Sequence, residues 1–140
     1  MSVFLSYTQE DAPLVHRIFW IFDRMRLDPY AYEFFAEAGE ILEQLIPARI
    51  KESEIFIPFI TGSGILSQWV NQEIGIARGL NKTILPVKEE GVLEPGFIKF
   101  RVYIPYYPYD PDETIYLLIR RVYSLLKPDA IRLQCKCGNQ

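Results

Sequence analysis

One carboxylate stands where apolar side chains are expected. Residues 67–80 read as an amphipathic helix, and Glu73 lies inside its apolar arc. At 100° per residue, Val70, Ile74 and Ala77 form one apolar stripe, and Trp69, Ile76 and Leu80 form the adjoining one. Glu73 falls between them, four residues after Trp69 on the same face, while Asn71, Gly75 and Arg78 take the other side. A carboxylate so placed costs free energy unless it finds a partner or its face lines a cleft. Two readings are open on periodicity alone. Glu73 is a rim residue snorkelling to water, or it is a functional group in a cleft.

The commoner kinds of site find little support. No glycine-rich phosphate loop follows the first apolar run, so nucleotide binding of the dinucleotide-fold or P-loop kind is not expected. Residues 7–10, Tyr-Thr-Gln-Glu, do not supply a flavin phosphate loop either. A phosphoacceptor receiver would need an aspartate where this chain has Ile60 and Thr61. The lone His16 takes a mostly polar angle on a helix and reads as structural. No nucleophile–histidine pair is visible, which argues against a serine or cysteine hydrolase. Cys135 and Cys137 form a C-x-C-G knuckle. Tetrahedral zinc wants four ligands, so no metal site is expected unless a partner chain or further sequence completes one.

The elements that must position Glu73 follow from patterning. The chain has 140 residues, of which 49% are hydrophobic, and a net charge of −3. That suits one domain with a substantial core and gives no basic footprint for nucleic acid. No apolar run is long enough to span a bilayer, and the start lacks a signal-type core, so no membrane association and a cytoplasmic location are expected. Short apolar runs at 3–7, 30–35, 54–60, 82–87 and 101–104 read as strands. Between them lie helical patterns from Thr8 or Asp11 to about Leu27, at 41–52 with Pro47 inside, at 67–80, and from Asp110–Pro111 onward. Strands alternating with helices predict an α/β domain of the flavodoxin-like, three-layer kind, with a five-stranded parallel sheet covered by helices on both faces. Pro58 and Pro86 should lie at strand ends or bulges. In such a sheet ligands bind beyond the carboxyl ends of the strands, where residues 6–11, residues 34–40 and the Glu73 helix converge.

In this order and spacing, several segments resemble the Toll/interleukin-1 receptor (TIR) domain family. Residues 3–7, Val-Phe-Leu-Ser-Tyr, with Glu10 and Asp11 are similar to its first box. Gly39 is similar to the glycine of the loop after the second strand. Trp69 to Glu73 matches the W-x-x-x-E pattern of members that cleave NAD+, and residues 83–87 are similar to the family's fourth strand, proline included. The resemblance makes residues 1–128 one TIR domain and residues 129–140 a flexible C-terminal tail.

The resemblance implies an NAD+ nucleosidase with Glu73 as catalytic residue, NAD+ as substrate and no cofactor. One carboxylate suffices, because nicotinamide leaves a cationic pyridinium as a neutral molecule and needs no proton. Glu73 would hold the ribose hydroxyls and offset charge on an oxocarbenium-like centre. Phe4, Ser6 and Tyr7 would line the substrate cleft from the first strand, Glu33 and Phe34 from the second loop, and Trp69 as a wall. Trp69 reads equally as a core anchor, and Ser6 as a helix cap. Glu33 stands near a position where the family often has aspartate. The loop at 35–40 lacks the arginine and proline usual in animal receptors, which favours a prokaryotic type acting in antiphage defence. Its product would be ADP-ribose or a cyclic or modified form. Self-assembly with other TIR domains is implied as well. The alternative is a TIR–TIR scaffold without turnover, in which Glu73 is structural.

Overall fold

The computed structural model describes residues 2–35, 39, 41–62, 67–92 and 102–126. Cys135, Cys137, the tail from 129, Arg101 and most of the 35–40 loop lie outside them. The chain runs β1 (Ser2–Ser6), α1 (Ala12–Arg24), β2 (Asp28–Tyr30), α2 (Tyr32–Phe35), α3 (Leu42–Glu52), β3 (Ile55–Ile60), α4 (Gln68–Gly79), β4 (Thr83–Ile84), β5 (Val87–Glu89), β6 (Ile104–Tyr106) and α5 (Pro111–Leu126). All strand pairs among the described residues are parallel, in the order β2-β1-β3-β5-β6 with β4 also on β3. This is the flavodoxin-like α/β fold expected.

Alternation along β1 creates the layers. Val3, Leu5 and Tyr7 face a core built with α1 and α5, including Phe22, Leu118 and Val122. Phe4 faces the other way, onto Ile46 and Ile50 of α3 and Val70, Ile74 and Ala77 of α4. Each large apolar side chain fully buried in these layers contributes about 1.5–3 kcal/mol. β3 is buried at all six positions, as the central strand of a doubly covered sheet must be.

The fourth strand is split. Thr83 and Ile84 pair with Ile55 and Phe56, and Val87 pairs with Phe59 at the same offset. β4 and β5 therefore occupy one strand position, interrupted at Leu85 and Pro86. Pro86 lies at this break, as expected. Pro58 does not lie at an end: it sits inside β3, paired with Ser6 on one side and opposite the interruption on the other. Two prolines that cannot donate to the ladder thus fall at one gap.

Three element boundaries correct the sequence reading. The second strand is Asp28–Tyr30, and residues 32–35 form a helical turn. Tertiary packing overrides the strand propensity of that aromatic run, because the turn sends Tyr32, Phe34 and Phe35 to three different surfaces. Pro29 is accommodated because β2 is an edge strand. The last strand is Ile104–Tyr106, later than read, with Pro105 likewise on an edge. The first helix starts at Ala12, and neither Thr8 nor Asp11 caps it through its side chain. Asp11 is instead buried and accepts a hydrogen bond from Thr61 Oγ1 at 2.8 Å, tying the exit of β3 to the exit of β1.

Candidate functional site

Strand alternation aims Ser6 at α4. Ser6 closes β1 on the same face as Phe4, and the helix that follows β3 brings Glu73 over it. Ser67 starts that helix by accepting a hydrogen bond from the Val70 amide at 3.3 Å. Glu73 then arrives in the second turn, between buried Val70 and Ala77. Ser6 Oγ donates to Glu73 Oε1 at 2.5 Å, and the two residues are 1% and 3% exposed. Burial pushes the Glu73 carboxyl up to about 8, and the Ser6 hydrogen bond opposes this only in part.

Glu73 borders a cleft of 470 Å³ between α3 and α4. Ile46, Pro47, Trp69 and Ile76 give it apolar walls, and Glu43, Gln72 and Glu73 give it polar groups. None of the described lining residues is cationic. A carboxyl in such a place has no counter-charge of its own, so it rests protonated near neutral pH.

Aromatic side chains extend the site across the carboxyl end of the sheet. Trp69 lies 6.4 Å from Tyr32, ring centre to ring centre, and Tyr32 lies 5.6 Å from Tyr7. Gln9 Nε2 donates to the Tyr32 hydroxyl at 2.6 Å. The Tyr7 hydroxyl donates to Glu33 Oε1 at 2.5 Å, and His16 Nε2 lies 3.1 Å from the same oxygen. Burial alone would raise the Glu33 carboxyl, but the bonds from Tyr7 and His16 outweigh it and hold the group below its usual range. Burial first, and then the Glu33 hydrogen bond, push the Tyr7 phenol far up, so it stays neutral. The two carboxyls therefore differ in state: Glu33 is ionised and Glu73 is protonated.

The site residues expected from sequence fall into three places. Glu73 and Trp69 line the cleft, and buried Ser6 bonds Glu73 from behind it. Phe4, expected to line the cleft, is instead a core residue, 1% exposed and stacked between Tyr30 and Phe56. Tyr7, Glu33 and Phe34 gather on the α1 side, where Phe34 stacks on Phe19 at 4.3 Å and meets the edge of His16 at 5.0 Å. His16 thus joins Glu33 in the structure. Tyr32, Gln9, Glu43 and Gln72 were missed. Tyr32 was hidden by reading its turn as a strand, while Gln72 sits beside Glu73 and could have been found. Among the described residues, no three His, Cys, Asp or Glu side chains gather as a metal site.

A sequence profile of the TIR domain family matches residues 3–118. No curated protein matches the chain in sequence. Among solved structures, the TIR domain of the Toll-related receptor TRR-2 from Hydra magnipapillata is similar over 85% of this chain and 94% of its own, with TM-score 0.69 and 17% identity. The Clostridium botulinum CMP N-glycosidase BcmB is similar over 84% of this chain and 98% of its own, with TM-score 0.63 and 18% identity. The TIR domains of the activated Roq1 resistosome match over 94% of this chain and 76% of theirs, with TM-score 0.58 and 15% identity. At such identities the likeness establishes the fold.

Proposed function

This chain belongs to the TIR domain family, and on that premise we propose that it cleaves the nicotinamide–ribose bond of NAD+, with Glu73 as the catalytic carboxylate. The observation that carries the reading is the buried Glu73–Ser6 pair, which opens on a cleft walled by Trp69 at the carboxyl end of a parallel sheet. Burial favours the protonated form of Glu73. A pyridinium entering the cleft brings the positive charge that the lining lacks, so Glu73 ionises as substrate binds. The carboxylate then holds the ribose hydroxyls and offsets the charge that builds on the anomeric carbon as the C–N bond breaks. Nicotinamide departs neutral with the bonding pair and needs no acid. Water captures the cation to give ADP-ribose, and an adenine nitrogen captures it to give a cyclic product. We assign the activity to prokaryotic antiphage defence, with assembly among copies of the domain.

A second substrate class is favoured by one comparison, the similarity to a CMP N-glycosidase. Cytosine is a poorer leaving group and needs a proton, which Glu73 in its resting form could give. Incubating the purified protein with NAD+, NADH and CMP, and separating the products by chromatography, tests both. Nicotinamide from NAD+ alone is expected. Cytosine from CMP would replace the first reading with the second, and no release from any of them would overturn both.

A further inference from the structure

We propose that Glu33 is a positioning residue: it takes Tyr7 and His16 on one oxygen and so fixes the turn that sets Tyr32 against Trp69, the aromatic wall of the Glu73 cleft. The inference rests on the proposed activity for its kinetic test only.

The turn Tyr32–Phe35 has one side chain for each surface it meets. Tyr32 packs between Tyr7 and Trp69. Phe34 lies on Phe19 of α1 and Phe35 stacks on Tyr30 of β2 at 5.3 Å. Those ring contacts are sliding, because stacked rings tolerate offsets of an ångström or more. Directional contacts hold the turn at two residues: Gln9 Nε2 donates to the Tyr32 hydroxyl at 2.6 Å, and Glu33 takes the Tyr7 hydroxyl at 2.5 Å with His16 at 3.1 Å. Tyr7 is itself buried, 1% exposed just past the end of β1 and next in the chain to Ser6, which bonds Glu73. The bond therefore refers the turn to the strand that also sets the carboxylate. Glu33 faces away from the cleft: it meets α1 and β1, and it is absent from the cleft lining described. Its influence on substrate runs through Tyr32 and Trp69.

A group of this kind is read out by binding rather than by the chemical step. If Glu33 only orders the turn, substrate must supply that order in its absence, so KM rises while kcat holds. Glu33→Leu, which removes the acceptor, and Tyr7→Phe, which removes the donor, are each expected to raise KM about tenfold, with kcat within about twofold. The double variant is expected to be no worse than Glu33→Leu alone, because that change already removes the bond that Tyr7→Phe removes. The chain has two tryptophans. Trp20→Phe therefore leaves Trp69 as the sole tryptophan reporter, and in that background Glu33→Leu is expected to shift the Trp69 emission as Tyr32 leaves it.

A large fall in kcat at unchanged KM would make Glu33 a catalytic group and overturn the inference. Additive losses in the double variant, or a Trp69 emission indifferent to Glu33→Leu, would overturn it as well. Should Glu33→Leu fail to fold, Tyr7→Phe in the Trp20→Phe background gives the same spectral test. The emission measurement needs no turnover, so it judges the inference even if the protein cleaves nothing.

Discussion

Glu73 and Ser6 carry opposite electrostatic tendencies into one buried pair. Burial raises the carboxyl to about 8, and the Ser6 hydroxyl pulls it back toward the ionised form. Removing the hydroxyl should therefore raise the carboxyl further. Ser6→Ala is expected to cut kcat/KM at pH 7 by about ten- to a hundredfold, the scale of one hydrogen bond to a charged group. It should also move the alkaline-going rise of kcat/KM to higher pH. In the wild type that rise should centre near 8, since the free enzyme must lose the Glu73 proton to act. A pH series of initial rates for both proteins checks this. The position of Glu73 was legible in the sequence, because a charged residue between two apolar stripes is a periodic anomaly. Its partner was less legible. Ser6 read as a cleft residue or a helix cap, and only the sheet shows that strand alternation turns its hydroxyl onto α4.

At the level of elements, legibility followed the strength of the pattern. The Glu73 helix kept its expected limits within a residue at each end, because its apolar arc and its Ser67 cap agree. The second strand and its loop did not. Six residues with four aromatics satisfy strand propensity, yet one helical turn distributes those rings over α1, β2 and Trp69. No local signal records which of those surfaces exists. The Pro86 interruption shows the same limit, since pairing to β3 on both sides of the break is a tertiary fact. Two substitutions test the element account. Gly39 has φ of +93°, and a Cβ there would meet nothing within 4 Å, so only backbone strain opposes a side chain. Gly39→Ala should destabilise by about 1 kcal/mol, seen as a lower denaturant midpoint at unchanged slope. Thr61→Val removes the buried donor to Asp11 and should cost about 1–3 kcal/mol by the same measurement.

For the whole molecule, the alternation of strands and helices was enough to give the fold class, a parallel sheet covered on both faces, whereas the strand order is seen only in the structure. Stability as a function of pH is also a property of the whole. The folded state keeps the Glu73 proton to about pH 8, whereas an ordinary glutamate loses it near 4.5. The stability associated with that proton is full below about 4.5 and is lost as pH rises through about 8. Glu73→Gln should therefore match the wild type near pH 4 and exceed it above about pH 8, by up to a few kcal/mol, in denaturant titrations. Assembly is expected to matter too. Trp20, Phe34 and Phe35 are 51%, 37% and 45% exposed, a contiguous aromatic surface beside the Glu33 turn. If neighbouring copies complete the site, turnover per molecule should rise with protein concentration.

The central claim is that Glu73 performs the chemistry. The most direct measurement is nicotinamide release from NAD+ at high protein concentration by the wild type and by Glu73→Gln, which keeps the size of the side chain and an acceptor for Ser6. The account predicts release by the wild type and a loss of at least about a hundredfold in the variant, the scale of losing one electrostatic stabiliser, with the fold intact. Equal release by both proteins would contradict it.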